Sequence, residues 1–166
     1  MSDAGLPTAS EMLVGLHGYW DSKRAGRLMP SRDEIDAAEI PQVMPSVMLC
    51  DVELGPLRFR YRLVGTRVTE LVHRDVTGRY IDESLYGDNV DVVKGPFVEA
   101  YQTRAPVALR GRLSWNNVEG QVAALSLPLS ADGETVNMVM FAVDFGDLNP
   151  LLPDGVPVIY RDLIKR

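Results

Sequence analysis

Leu57-Arg58-Phe59-Arg60-Tyr61-Arg62-Leu63-Val64-Gly65-Thr66 decides how this chain is read. Leu57, Phe59, Tyr61 and Leu63 alternate with Arg58, Arg60 and Arg62, the period of a half-buried β-strand. One face therefore offers large apolar groups to a core, and the other offers guanidinium groups to solvent or carboxylates. Gly65-Thr66 stops the strand, and Thr66 is placed to cap a short helix.

Immediately upstream, Val47 to Leu54 reads as a partner strand, joined through the turn Gly55-Pro56. Further upstream, Thr8 with Glu11 makes a capping box. Met12, Leu13, Leu16 and Trp20 then follow at helical spacing, and Gly26 is placed to stop that helix. A second box, Ser31 with Glu34, predicts a short helix ended by Pro41. Downstream, Thr66 to about His73 and a piece after Asp82 read as helical fragments. A longer helix is expected over 89–103, with Val93, Phe97, Ala100 and Tyr101 on one face and Pro96 as a source of kinking. Three strands close the pattern: 107–115, 121–129 and 136–145. Their turns are expected at Asn116-Asn117/Glu119-Gly120 and at Asp132-Gly133. Two strands, a helical excursion and three strands can close into one five-stranded antiparallel sheet. Such a sheet needs helices to cover its apolar face, so the fold class is α+β.

A chain of 166 residues suits a single domain with a substantial core. Its 46% hydrophobic and 24% charged content is ordinary for a globular protein. The net charge of −6 argues against non-specific nucleic-acid binding. No apolar run approaches the roughly 20 residues of a membrane span. Met1-Ser2-Asp3-Ala4-Gly5 lacks the character of a signal peptide, and the one cysteine, Cys50, has no internal partner for a disulfide. A cytoplasmic setting is the expectation.

The ordered set Trp20, Arg24, Gly26-Arg27, Pro30-Ser31-Arg32, the Phe59–Thr66 stretch and Thr77-Gly78-Arg79 resembles a bacterial branch of the PAS sensor domains. That branch is a stand-alone one of unknown function, whose N-terminal helix ends in a Trp and a Gly-Arg segment. The resemblance runs from about Trp20 to about Phe145. It implies a PAS-like five-stranded antiparallel sheet with helices on one face and an extra N-terminal helix. Residues 1–30 are then the helix and connector, 31–148 the PAS-like domain, and 149–166 a tail that packs on the surface or meets a partner.

The same resemblance places a ligand cavity between the sheet's concave face and the long helix. Phe59, Tyr61, Phe97, Tyr101, Leu125, Leu127, Met138, Met140 and Ala142 are expected to line it. Tyr61 and Tyr101 are the foremost ligand contacts, because a buried phenol needs a polar partner. Core packing is the competing role for each of these residues. Relatives that hold haem use a histidine on the long helix, and here 89–103 contains none. Relatives that bind flavin covalently use a cysteine in an Asn-Cys-Arg-Phe context, whereas Cys50 sits in a strand between Leu49 and Asp51. Both cofactors are therefore disfavoured.

Chemistry-bearing motifs are otherwise sparse. His17 and His73 are far apart and offer no metal-ligand spacing. Gly65, Gly78 and Gly87 are too dispersed for a phosphate loop and read as positive-φ turns. Ser126 lies mid-strand without a nucleophile elbow. Arg27, Arg32, Arg60, Arg62 and Arg79 form either structural ion pairs or an anion site, with Asp51 and Glu53 positioned to pair across the hairpin. Leu13, Leu16 and Trp20 form a stripe that either dimerises, as PAS-like N-terminal helices often do, or packs on its own sheet.

The sequence thus points to a non-catalytic sensory or regulatory module that binds a small ligand or a protein partner and forms a homodimer. An adaptor with a filled core is the alternative. A small cone-shaped enzyme ranks last, because Asp91 and Glu99 lie off the Val93-Phe97-Tyr101 face.

Overall fold

The computed structural model describes residues 9–72, 74–115, 118–145, 156 and 158–163. Helix α1 (Ala9–Arg24) is followed by short 3-10 turns and the hairpin β1 (Val47–Glu53) and β2 (Arg58–Val64). Helices α2 (Thr66–Val72), α3 (Glu83–Tyr86) and α4 (Val90–Thr103) come next. The strands β3 (Val107–Trp115), β4 (Val118–Leu129), β5 (Met138–Phe145) and β6 (Val158–Leu163) complete the chain. The sheet order is β2-β1-β5-β4-β3-β6. Five strands pair antiparallel as expected, and β6, from the segment read as a tail, adds a sixth parallel to β3.

Local departures from the sequence reading have local causes. The box at Ser31 forms, its amide donating to the Glu34 carboxylate at 3.0 Å, yet it starts only the 3-10 turn Arg32–Glu34. Asp36 then accepts from the Ala38 amide and opens a separate turn, Ala37–Glu39, so no continuous helix reaches Pro41. Helix α2 is capped through Gly65 rather than Thr66: the Gly65 carbonyl accepts from the Val68 and Thr69 amides. Glu119-Gly120, expected in a turn, lies inside β4, while Asn116-Asn117 falls outside the described residues. Thr8 and His73 fall outside them too.

Glycines Gly78 and Gly87 occupy positive φ, at 85° and 56°. Gly65 does not, and its reason is proximity: a Cβ there would lie 2.3 Å from the Pro45 carbonyl oxygen. The start of α2 and the turn before β1 therefore touch backbone to backbone.

Both faces of the central strands are buried. Cross-strand partners share a face, so Leu49, Met140 and Leu127 form one row, and Met48, Phe141 and Ser126 form a row on the other side. Helix α4 covers the second face through Phe97, whose ring stands 4.7 Å from Phe141 and 5.6 Å from Phe59. Helix α1 covers the first with Leu13, Leu16 and Trp20, and the Trp20 indole donates to the Pro128 carbonyl at 2.9 Å. The helices thus cover two faces of one sheet: α4 the inner face and α1 the outer.

Candidate functional site

The inner face starts from β2. Phe59 and Tyr61 point inward, and the strand's outer edge is hydrogen-bonded to the segment after the Thr77-Gly78-Arg79 turn. The Tyr61 amide donates to the Arg79 carbonyl at 2.9 Å, and the Ile81 amide donates to the Phe59 carbonyl at the same distance. Asp82 then caps α3 by accepting from the Leu85 amide, which sets Tyr86 at the end of that short helix. The Tyr86 and Tyr61 hydroxyls meet at 2.6 Å. Cys50, the register partner of Tyr61 and of Val139, shares their face.

Tyr61 is fully enclosed and Tyr86 half-buried. Burial pushes the Tyr61 hydroxyl well above its ordinary range, and the neighbouring Tyr86 and Cys50 push it further. Burial also raises Tyr86, against the pull of the Tyr61 hydrogen bond and of the Arg74 and Arg79 charges. Burial pushes the Cys50 thiol up, which keeps it protonated and unreactive at neutral pH. Ser126 belongs to this face as well, between Val107 and Phe141 in the register. Its hydroxyl is fully buried and finds no hydrogen-bond partner among the described residues.

The expected pocket residues divide between the two sides of the sheet. Phe59, Tyr61 and Phe97 gather on the inner face, and Tyr101 lies half-buried one turn beyond Phe97 on α4. Leu125, Leu127, Met138, Met140 and Ala142 lie on the outer face under α1, because each alternates with a residue of the Ser126–Phe141 side. The inner-face groups that the sequence reading did not place in the pocket are Tyr86, Ser126, Val139 and Phe141. In β5 the run Met138-Val139-Met140-Phe141-Ala142-Val143 is apolar throughout, so no alternation marks which side faces inward.

Leu13, Leu16 and Trp20, offered as a dimer seam, are at most 2% exposed within the single chain and pack on its own sheet. The arginines disperse into separate tasks. Arg27 pairs with Glu34 and donates to the Arg24 and Lys23 carbonyls, capping α1. Arg32 donates to the Ile35 carbonyl. Arg62 forks onto Asp51 at 2.9 Å, Arg58 pairs with Glu53, and Arg60 donates to the Gly78 carbonyl. His17 stacks on Trp20, and burial lowers its pKa. Among the described residues no cluster of His, Cys, Asp and Glu could hold a metal ion.

A family model described as PAS domain matches residues 8–140. The chain belongs to the PAS domain family. No curated protein matches it. Solved structures similar to this PAS chain include the PAS domain of BvgS from Bordetella pertussis. That structure is 12% identical with a TM-score of 0.49, over 64% of this chain and 82% of that one. A sensory box sensor histidine kinase from Vibrio cholerae is 18% identical with a TM-score of 0.48, over 66% and 89%. A fungal LOV domain photoreceptor is 17% identical with a TM-score of 0.43, over 70% and 95%. Among the described residues no helix of this PAS chain is long and apolar enough to cross a membrane.

Proposed function

We propose that this PAS domain is a non-catalytic sensory module of bacterial signalling that takes a small ligand between the inner sheet face and α4. The observation that carries this reading is the Ser126 hydroxyl, fully buried on the inner face and unpartnered among the described residues. An unpaired buried hydroxyl costs about 1–3 kcal/mol, which a ligand offering a hydrogen bond recovers. The Tyr61–Tyr86 hydroxyl pair supplies a second polar point on the same apolar surface. Phenols, a hydroxyl and a protonated thiol provide hydrogen bonds and shape rather than an acid–base pair at neutral pH, which favours sensing over catalysis.

Output runs through α1 in this reading. That helix lies on the opposite side of β4 and β5 from α4, so a ligand that repacks Phe141 or Ser126 bears on Met140 and Leu127 beneath Trp20. A ligand shifts only states it binds differently, so coupling requires a second packing of α1, presented to a protein partner or a second copy in the cytoplasm. Native mass spectrometry on protein purified from its own host tests the proposal. A small molecule released on denaturation supports it. Folded protein free of any copurified mass, and unmoved by added small molecules, favours a constitutive adaptor instead.

A further inference from the structure

Two cations near the tyrosine pair, Arg74 and Arg79, form no ion pair among the described residues. Lys23, Arg24, Arg27, Arg58 and Arg62 pair with Glu39, Asp21, Glu34, Glu53 and Asp51. Arg74 and Arg79 have no carboxylate partner among the described residues, although both are half-buried. The closest carboxylate in sequence, Asp75, is engaged with the Thr77 amide and hydroxyl.

The backbone fixes where Arg79 points. The bridge between Arg60 and Tyr80, with the Tyr61 amide on the Arg79 carbonyl, sets Arg79 opposite Tyr61 along the β2 edge. Tyr80 stacks on the outward-facing Arg58 and Arg60, at 4.4 and 5.9 Å from their guanidinium carbons. Alternation then turns Arg79 to the face of Tyr61. Tyr61, whose amide meets the Arg79 carbonyl at 2.9 Å, has its hydroxyl 2.6 Å from that of Tyr86, so the pairing along β2 brings Arg79 and the outer phenol to one end of the inner face, and the Arg74 charge bears on the same hydroxyl. Either hydroxyl can donate in this pair; where the enclosed Tyr61 donates to the Tyr86 oxygen, the Tyr86 proton is free to donate outward, and the two cations cannot accept it.

We infer that Arg79, Arg74 and the Tyr86 hydroxyl receive the carboxylate head of a small organic acid whose apolar body lies on the inner face against Phe59 and Phe97. Guanidinium forks match a planar carboxylate, and the anion accepts the Tyr86 proton while neutralising the cations. The inference rests on the inner face being a ligand site, and it adds the chemical class of that ligand.

The test uses octanoate and 1-octanol as probes, titrated into the isotopically labelled chain and followed by the amide signals of Tyr61, Tyr86 and Arg79. Octanoate is expected to bind more tightly than octanol, and Arg79→Gln to weaken octanoate by at least about tenfold while leaving octanol unchanged. Arg79→Lys is expected to recover part of the loss, which a variant that merely unfolds would not do. Equal binding of both probes, indifferent to Arg79→Gln, overturns the carboxylate site and leaves the inner-face pocket standing. Failure of both probes overturns the pocket and the carboxylate site together. Displacement of octanoate by inorganic phosphate at lower concentration than by acetate overturns the assignment to a carboxylate.

Discussion

Removing the hydroxyls of Tyr61 and Tyr86 one at a time should have unequal effects. The two oxygens are 2.6 Å apart; Tyr61 is fully enclosed, and Tyr86 is half-buried. Tyr86→Phe strands a phenol hydroxyl in the interior, at a cost of about 2 kcal/mol, within the 1–3 kcal/mol of an unsatisfied buried donor. Tyr61→Phe leaves only the outer hydroxyl, which has access to water, and should cost about 1 kcal/mol or less. The double variant removes both members and should lie close to the single Tyr61→Phe, giving a coupling of about 1–2 kcal/mol in a double-mutant cycle. For a chain of this size, each kcal/mol corresponds to a Tm change of roughly 2–4 °C. Urea denaturation of the four proteins at pH 7 measures the cycle. Alkaline titration provides an independent reading. Both phenols have folded pKa values raised by burial, so their stabilisation is full below the unfolded value near 10 and is lost as pH rises above it. The double variant should flatten that alkaline decline. Equal costs for the two single variants, or an unchanged alkaline limb in the double variant, would refute the picture of an enclosed inner hydroxyl served by an outer one.

Two further outcomes follow from the geometry. Gly65→Ala places a methyl 2.3 Å from the Pro45 carbonyl oxygen and should destabilise by about 1–3 kcal/mol or more, despite alanine's better helix propensity. An unchanged urea midpoint would show that the two backbones are not in contact there. Asp132 accepts from the Ser130 hydroxyl and from the Glu134 and Thr135 amides in the β4–β5 turn, and these bonds, those from the backbone foremost, hold its pKa down to about 2. A depressed carboxylate stabilises above its unfolded value and loses that contribution as pH falls toward 2. Asp132→Asn should therefore show a shallower loss of stability between about pH 4 and 2 in acid titrations followed by circular dichroism; a slope matching the parent would discount the turn's hydrogen bonds.

Much of the fold was legible because its signals are local. Arg58, Arg60 and Arg62 alternating with Phe59 and Tyr61 mark a strand with one wet face, and β2 formed there. Gly26, at φ 82°, ends the first helix region as read, and Gly133, at φ 84°, turns β4 into β5. The Arg62–Asp51 and Arg58–Glu53 pairs across the hairpin were readable from strand spacing. The role of Gly65 is not legible in the sequence, because a close approach to Pro45 leaves no trace in its neighbours, whereas a turn does.

The candidate site was legible only in part. Phe59, Tyr61 and Phe97 carried the inner face, but the partner of Tyr61 is Tyr86, separated from it by the α2–α3 excursion and brought back by the Asp82 cap. Secondary-structure types, strand order in sequence and the two-layer requirement were set by periodicity, capping and turn chemistry, which act within a few residues. Tertiary structure alone decided which side of β5 faces α4, because a strand buried on both faces carries no alternation. It also decided that the α1 stripe is consumed by its own sheet, and that Arg79 stands opposite Tyr61 while Arg62 turns outward to Asp51. Those outcomes depend on register. Register is a property of pairs of segments, fixed only when burial of both faces is satisfied together.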